Sequence, residues 1–416
     1  MKNYIILLLG IVLFSCNTKT KTTEETKPAL TAEALALVER ANNLAQNTII
    51  VDTHVDLPYQ LYKAYFADGT LENVSERTEG DIDYPRAKAG GLDAPFMSIY
   101  VSASFQETGG AKEHADSLIM LVEEIASTYP DKFALAINPK EVEENFKKGI
   151  ISLPMGMENG APIEDDLENV AYFYQKGIRY ITLTHSKDNL ICDSSYDSTR
   201  TWNGLSEFGA KVVEEMNKVG IMIDVSHISD STFYQVMALS KAPVLASHSS
   251  CRHFTPDFER NMSDAMIKKL AEKEGVIQIN FGSTFLDWKI QEKAKIWNTK
   301  LTNILDEKGL KREDSLAKPI IDAYKKENTF PYASVKTVAD HIDHVVKLVG
   351  IDYVGIGSDY DGVGDSLPEG LKDVSGYPNL ILELLKRGYS DEDIQKLCYK
   401  NTFRVWNAVE KVAGEM

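Results

Sequence analysis

Residues 47–58 read Asn-Thr-Ile-Ile-Val-Asp-Thr-His-Val-Asp-Leu-Pro, an apolar run that leads into a histidine and an aspartate. The run at residues 48–51 predicts a buried strand that continues into His54 and Asp56. On an extended strand, residues i and i+2 point to the same face and lie about 7 Å apart. The two side chains could therefore converge on one divalent cation. The alternative is a turn in which both side chains bond only to backbone groups, and this spacing alone does not separate the two.

Beyond this segment, apolar stretches of strand length alternate with stretches of helical periodicity. The further predicted strands are residues 95–101, 133–137, 149–157, 177–183, 221–225, 243–246, 276–279 and 354–356. Strands that alternate with helices predict parallel pairing and right-handed crossovers. Eight or nine such units fit a TIM (β/α)8 barrel better than an open sheet. The count is ambiguous by one, because the run at residues 133–137 could be an addition outside the barrel.

Polar residues with metal-binding side chains fall at the ends of these predicted strands. They are His54, Asp56, Glu158, His185, His227, His248 and Asp359. The carboxyl ends of the strands are where TIM barrels build their active sites. Each residue alone could be a hydrogen-bonded packing residue, but four of the eight histidines at strand ends together predict a metal site.

The donor types predict which ions such a site would take. Imidazole and carboxylate ligands without thiolate suit Zn²⁺, and Mn²⁺ or Co²⁺ would also fit. Three histidines and two carboxylates are too many for one open tetrahedral ion. The set therefore predicts two ions bridged by one carboxylate, an arrangement that clamps a reacting oxygen from both sides.

Charge and cysteine content exclude other classes of function. The net charge of -17 argues against a nucleic-acid partner, because phosphate binding requires basic patches. Cys192, Cys251 and Cys398 are widely spaced and odd in number, so they predict neither a disulfide framework nor a thiolate zinc site.

The N-terminus resembles a bacterial lipoprotein signal. A short positive start and the apolar run at residues 5–14 precede Ser15 and Cys16. We expect residues 1–15 to be a signal peptide, Cys16 to be lipidated, and residues 16–31 to be a flexible tether. Residues 32–416 would form a single metal-dependent barrel domain, anchored by lipid in the bacterial cell envelope on the periplasmic or surface side. The alternative is an ordinary secretory signal with an incidental cysteine.

An ordered set of short motifs extends over roughly residues 47–412. They are DTHVDLP (52–58), DYPRAKAGG (83–91), GMENG (156–160), IRYITLTH (178–185), DVSH (224–227), SHSS (247–250), RN (260–261) and GSDYDGV (357–363). This set resembles the membrane (renal) dipeptidase family of the amidohydrolase superfamily. The resemblance implies zinc-dependent hydrolysis of dipeptides in an amidohydrolase-like barrel.

The resemblance also implies ligand assignments. His54 and Asp56 would hold one zinc ion, and His227 and His248 would hold the other. Glu158 would bridge the two ions, in the place that a carboxylated lysine fills in many relatives.

Three further roles come from the same resemblance. His185 matches the family's transition-state histidine, and Arg260 matches its binder of the substrate carboxylate. Asp359 matches the aspartate that shuttles a proton, and Asp361 is the less favoured choice because it lies further into the loop. For Arg260 the alternative is a surface salt bridge.

The expected chemistry is attack on the peptide carbonyl by a hydroxide that bridges the metal ions, with Asp359 passing a proton to the leaving amine. Another amidohydrolase reaction, on an N-acyl amino acid or a lactam, is the alternative in the same barrel. A non-catalytic binding lipoprotein would be expected to lack a ligand or Asp359, and this chain has all of them.

Two features depart from the family pattern. Gly282 stands where mammalian relatives carry a tyrosine, at the carboxylate end of the expected pocket. Residues 285–330 form an insertion in a βα loop, which we expect either to cover the site or to build a homodimer contact.

Overall fold

Eight parallel strands form the central sheet, and they follow one another around it in chain order. They are β1 Val51–Val55, β2 Ala94–Tyr100, β3 Met155–Glu158, β4 Ile178–Thr182, β5 Met222–Asp224, β6 Leu245–Ala246, β7 Val276–Ile279 and β8 Val354–Ile356. The structure is a computed structural model that describes residues 31–416. The predicted signal peptide, Cys16 and the tether up to residue 30 lie outside the described residues.

The sheet closes where the segment that follows β8 meets β1. The amide of Asp359 donates to the carbonyl of His54 at 3.0 Å, and the amide of Asp56 donates to the carbonyl of Tyr360 at 2.8 Å. These bonds lie at the carboxyl ends of both strands, so they close the barrel at the end where the polar residues gather. The predicted TIM (β/α)8 barrel is confirmed.

Helices surround the barrel, and several begin at serine N-caps such as Ser206, Ser229 and Ser263, whose hydroxyls accept a first-turn amide. The α-helices are Ala32–Asn47, Leu57–Asp68, Tyr84–Gly90, Phe105–Thr108, Ala111–Thr128, Pro139–Lys148, Glu168–Gln175, Glu207–Val219, Asp230–Leu239, Asp264–Glu272, Ser283–Leu286, Trp288–Asp306, Lys318–Glu327, Val335–Val349, Tyr377–Lys386, Asp391–Gln395 and Asn401–Glu415. Within residues 31–416, none of the helices is both long and apolar enough to cross a bilayer.

Two predicted strands were placed wrongly. The first strand is Val51–Val55, not residues 48–51, so His54 lies inside the strand. The predicted strand at residues 149–157 is two strands, because Pro154 has no amide to continue a ladder. Its first half, Ile151–Leu153, pairs with Phe133–Leu135 in a separate two-stranded sheet. The run at residues 133–137 therefore does not belong to the barrel.

The insertion at residues 285–330, called the roof below, carries the helices Trp288–Asp306 and Lys318–Glu327. It has a small hydrophobic cluster of its own, in which Leu301 and Leu305 are each 1% exposed. The indole of Trp297 donates to the carbonyl of Asn328 at 2.8 Å. The roof therefore holds its two helices together by its own contacts.

A buried histidine joins the roof to the barrel. His341 is fully buried; its Nδ1 accepts from the amide of Cys251 at 3.0 Å, and its Nε2 donates to the carbonyl of Leu286 at 2.9 Å. The bond from Cys251 requires a neutral ring, because Nδ1 must keep its lone pair to accept it. Burial lowers the pKa of His341 to about 4.

This histidine predicts a loss of stability on mild acidification. The folded-state pKa lies below the usual value near 6.5, so the unfolded state binds the proton first. Stability is full above about pH 6.5 and falls as the pH drops toward about 4. Between pH 7 and pH 5 we expect His341 to account for a loss of about 2 kcal/mol in the free energy of unfolding. Urea titrations at both pH values, compared with His341→Gln, check this; an equal pH dependence in the variant would contradict it.

Candidate active site

The carboxyl ends of the barrel strands bring the predicted residues into one buried mouth. His54 lies in β1, Glu158 is the last residue of β3, and His227 follows β5. Asp56 lies directly after β1, and His248 and Asp359 lie two and three residues after the ends of β6 and β8. His227 and Asp359 have left-handed backbones, with φ of 67° and 65°. Such conformations are costly outside glycine and tend to persist at functional sites.

Glu158 lies between two groups of these side chains. Its Oε2 is 3.5 Å from His54 Nε2, and its Oε1 is 3.1 Å from His227 Nε2 and 3.2 Å from His248 Nε2. Asp56 Oδ2 is 3.6 Å from His54 Nε2. One oxygen of the carboxylate therefore faces the His54 and Asp56 group, and the other faces the histidine pair.

Several of these atoms lack partners within the described residues. His54 Nε2 and Asp56 Oδ1 are buried and make no hydrogen bond. Asp56 is also the N-cap of the helix Leu57–Asp68, yet its carboxylate accepts no bond from that helix. An N-cap aspartate normally satisfies such an amide. The carboxylate is instead left available to a ligand in the mouth.

The spacing of the donor atoms fits coordination to metal ions. Ligand atoms about 2.0–2.1 Å from a tetrahedral zinc ion lie about 3.3 Å from one another. His227 Nε2 and His248 Nε2 are 2.8 Å apart, and His54 Nε2 lies 3.5–3.6 Å from its two carboxylate neighbours. Two groups of this spacing share Glu158, which is what a bridged pair of ions requires.

Hydrogen bonds behind the mouth fix which histidine nitrogen faces the ion. The hydroxyl of Ser247 donates to Asp224 Oδ2 at 2.6 Å, so its oxygen accepts the Nδ1 proton of His248 at 2.7 Å. His248 Nε2 is then unprotonated. His54 Nδ1 also has an outer partner, the hydroxyl of Tyr180 at 2.8 Å. Outer partners of this kind orient metal-binding histidines and raise their basicity.

The relay through Ser247 predicts a specific loss of metal affinity. In Ser247→Ala, His248 Nδ1 loses its acceptor and the ring is free to rotate or change tautomer. We expect affinity for the metal ions to fall about 10–100-fold. Competition with a chromophoric chelator measures it, with Ser240→Ala as the control, because Ser240 is buried but bonds to Ala242 instead of a mouth residue. Equal affinities in the two variants would contradict the relay.

The protonation states also suit cations. Burial acts to raise the pKa of Glu158, but the neighbouring His54 and His185, together with the contacts to His227 and His248, hold it well below its usual range. Burial, with Arg260 as a further cause, holds the pKa of His227 well below its usual range. Burial also holds the pKa of His248 well below its usual range. Burial acts to lower the pKa of His54, but Tyr180, Glu158 and Asp56 hold it well above its usual value. The mouth therefore combines an ionised Glu158 with a neutral pair, His227 and His248.

Among the described residues, only one of the two carboxylate oxygens of Asp359 is fixed by a hydrogen bond from a neighbouring side chain. Its Oδ2 accepts from the side-chain amide of Asn280 at 2.7 Å, and the residue is 8% exposed. Burial, and then the charge of Asp56, raise the pKa of Asp359 to about 7. Asp361 is differently placed, because its Oδ1 accepts from the amide of Asp81 at 2.7 Å. Asp359 is thus the aspartate beside the predicted ligands.

Arg260 is buried among these groups. It is 3% exposed and donates to Ser249 Oγ at 2.9 Å, to the carbonyl of His248 at 2.8 Å and to His227 Nε2 at 3.0 Å. The alternative of a surface salt bridge is therefore wrong. Its Nε is buried and makes no hydrogen bond to a described residue, so a donor remains for a ligand. The bond to His227 uses the Nε2 lone pair that faces His248 Nε2, so a metal ion bound to His227 would take the place of this bond.

His185 reaches the same group from β4. Its Nε2 is 3.6 Å from Glu158 Oε1, and its side chain is 20% exposed, more than those of the predicted metal ligands. Its ring meets the edge of Tyr100 at 5.0 Å between ring centres. All the predicted site residues within the described chain therefore meet in one mouth, and the individual roles assigned to them remain predictions.

Sequence reasoning did not single out the outer partners Asp224, Ser247, Tyr180 and Asn280. The motifs DVSH and SHSS contain the first two. Asp224 stands three residues before His227, and Ser247 stands directly before His248. These polar residues close to predicted ligands were the available signal. A further group, His253, Asp264 and His344, lies outside the mouth. There His344 bonds Asp264 at 2.7 Å and stacks on His253, and these contacts account for it without an ion.

Comparison with known proteins agrees with this geometry. Residues 38–416 match the family model described as membrane dipeptidase, peptidase family M19. The dipeptidase VerJ of Clonostachys rogersoniana is 32% identical over 394 residues, which cover 91% of this chain and 89% of that protein.

Solved structures agree as well. The probable dipeptidase PvdM from Pseudomonas aeruginosa superposes with a TM-score of 0.77 at 29% identity, over 91% of this chain and all of that one. A metallopeptidase from Rhodobacter sphaeroides, liganded with a phosphinate mimic of L-Ala-D-Ala, superposes with a TM-score of 0.70 at 25% identity, over 87% of this chain and all of that one. The chain therefore belongs to the membrane dipeptidase family, peptidase family M19, and is a metal-dependent dipeptidase.

Proposed function

We propose that this enzyme holds two Zn²⁺ ions in the barrel mouth and uses them to hydrolyse dipeptides with a free carboxylate. The observation that carries the proposal is the position of Glu158, with one oxygen toward His54 and the other toward His227 and His248. His54 and Asp56 would hold one ion, the histidine pair would hold the other, and Glu158 would bridge them. When bound, the ions supply Lewis acidity that makes water a nucleophile at neutral pH.

Asp359 moves the proton in this proposal. Asn280 fixes Oδ2, so Oδ1 is the oxygen that accepts a proton from the attacking water and returns it to the leaving amine. A buried carboxyl whose pKa lies near the working pH can act in both directions. Bound cations would act against burial and lower this pKa again.

Arg260 and His185 bind the substrate. Arg260 is always charged, and its fork of donors suits a carboxylate. A carboxylate site beside the ions sets the length of substrate that fits, which favours dipeptides over longer chains. His185, the more exposed histidine of the mouth, stabilises the negative charge that develops on the carbonyl oxygen.

One experiment tests the proposal as a whole. The protein is purified without added metal, its metal content is measured, and it is assayed on L,L and L,D dipeptides and on N-acetyl amino acids before and after chelation. We expect two zinc ions per chain and dipeptide hydrolysis that chelation abolishes and zinc restores. Faster cleavage of N-acetyl amino acids would favour the alternative amidohydrolase reaction. Two bound ions of manganese or cobalt would contradict the assignment of zinc.

We further propose that the enzyme is anchored by a lipid on Cys16 in a bacterial cell envelope, on the strength of the apolar run followed by Ser15 and Cys16. Membrane fractionation of the full chain and of Cys16→Ser tests this. Loss of the membrane-bound form in the variant is expected, and an unchanged distribution would overturn the anchor.

A further inference from the structure

The cavity above the predicted ligands is larger than a simple dipeptide needs. Its volume is about 920 Å³. Pockets of about 300–1,000 Å³ accommodate drug-sized ligands. The roof supplies one part of the lining, with the apolar residues Trp297, Leu301, Ile321 and Phe330 and the cation Arg312. The insertion thus adds a chamber to the catalytic mouth.

The roof is tied down over the mouth. Lys325 Nζ lies 2.9 Å from Asp365 Oδ2, and the hydroxyl of Tyr332 donates to Asp365 Oδ1 at 2.8 Å. Asp365 belongs to the loop that also carries Asp359. The added chamber therefore has a defined position relative to the reacting groups.

Phe285 indicates which end of the substrate the roof borders. This first residue of the roof packs against Arg260, with the guanidinium carbon 5.6 Å from the centre of the phenyl ring. A Cβ at Gly282 would lie 2.7 Å from the Phe285 ring, so the ring fills the space beside that glycine. The roof therefore begins at the carboxylate end of the pocket, beside the C-terminal residue of a bound dipeptide.

The charges in the chamber are not balanced. Lys325 is paired with Asp365, whereas Arg312 has no carboxylate partner among residues 31–416. Arg312 Nη2 donates only to Asn298, to the carbonyl at 3.3 Å and to Oδ1 at 2.9 Å. Arg312 is thus a positioned cation with donors left for an anion.

We propose that the roof forms a subsite for the side chain of the substrate's C-terminal residue and selects long side chains that end in a carboxylate. Trp297, Ile321 and Phe330 would pack on the methylene stem, and Arg312 would bind the terminal carboxylate. The substrate class is then dipeptides with a C-terminal glutamate or a longer acidic residue. This inference rests on the proposed function, because it uses Arg260 as the site of the main-chain carboxylate.

The test compares kcat/KM for L-Ala-L-Glu, L-Ala-L-Gln and L-Ala-L-Lys in the zinc-loaded full chain. Glutamate and glutamine have the same shape, so their ratio isolates the charge. We expect the wild type to prefer Ala-Glu over Ala-Gln only roughly three- to tenfold, since Arg312 is solvent-exposed and water weakens its interaction with a carboxylate. Arg312→Gln should remove that preference, and Arg312→Glu should reverse it in favour of Ala-Lys.

Lys311→Gln is the matched control, because Lys311 is the neighbouring cation and does not line the cavity. It should keep the wild-type ratio. Equal rates on Ala-Glu and Ala-Gln in the wild type, or an unchanged ratio in both Arg312 variants, would overturn the subsite while leaving dipeptide hydrolysis intact. Failure to cleave any dipeptide would instead overturn the proposed function, and the subsite with it.

Discussion

Asp359→Asn is expected to abolish dipeptide turnover while the bound metal stays in place. Asparagine has the size of aspartate, and its carbonyl can still accept the bond that Asn280 donates at 2.7 Å. It cannot take up a proton at the other position. A positioned acid or base contributes about 10²–10⁴-fold to rate, and kcat should fall by that amount. Measurements of kcat and of metal content in the same preparation check both parts of the expectation.

Asp361→Asn is the matched control. Asp361 lies two residues further along the same loop and lines the same cavity, but its Oδ1 is used by the amide of Asp81. An amide retains that acceptor, so we expect a loss of less than about tenfold, well under the contribution of a positioned acid or base. If Asp361→Asn abolished turnover and Asp359→Asn did not, the proton would have to pass through Asp361.

The barrel and the mouth were predictable because the residues with metal-binding side chains stand at the ends of apolar segments of strand length. Glu158, His227 and His248 each close or follow a short apolar segment, and parallel strands bring such ends to one rim. The order of the strands in space follows the order in the sequence, so no long-range pairing had to be guessed.

The bounds of the first strand were placed wrongly because polar residues near the mouth do not show the apolar pattern of a buried strand. Thr53 and His54 are polar yet fully buried, since Thr53 donates to the carbonyl of Ser247 at 2.6 Å and His54 meets Tyr180. Apolarity marks a strand only where its side chains pack against hydrocarbon. Where the side chains face an active-site mouth, they are polar and bond to residues distant in the sequence. A local sequence pattern does not identify those partners.

The outer hydrogen bonds, and the contacts that hold the roof in place, escaped prediction for the same reason. Asp224 orients His248 through Ser247, 23 residues further along the chain. In the roof, Lys325 reaches Asp365 across 40 residues. The sequence offered either a cover or a dimer contact for this insertion. The position of Arg312 and Trp297 in the cavity lining confirms the cover, and the dimer contact stays a prediction.

Gly362→Ala is expected to inactivate the enzyme by a different route, through loss of both activity and metal. A Cβ at this position would lie 2.0 Å from Asp359 Oδ1 and 2.1 Å from Asp56 Oδ2. Real Cβ contacts do not come so close, so at least one of these buried carboxylates must move by an ångström or more. A displacement of that size in a catalytic group costs about 10²-fold in rate.

Metal content separates this variant from Asp359→Asn. Asp56 is a proposed ligand, so Gly362→Ala should lower the metal content and the turnover together, whereas Asp359→Asn should lower turnover alone. Gly414→Ala is the control for a methyl group as such, because a Cβ there meets nothing within 4 Å. Thermal unfolding of each variant shows that the fold is retained. Full activity in Gly362→Ala would mean that Asp56 and Asp359 do not lie together beside this glycine in the working enzyme. The proposed roles of Asp56 as a ligand and Asp359 as the proton carrier would then be wrong.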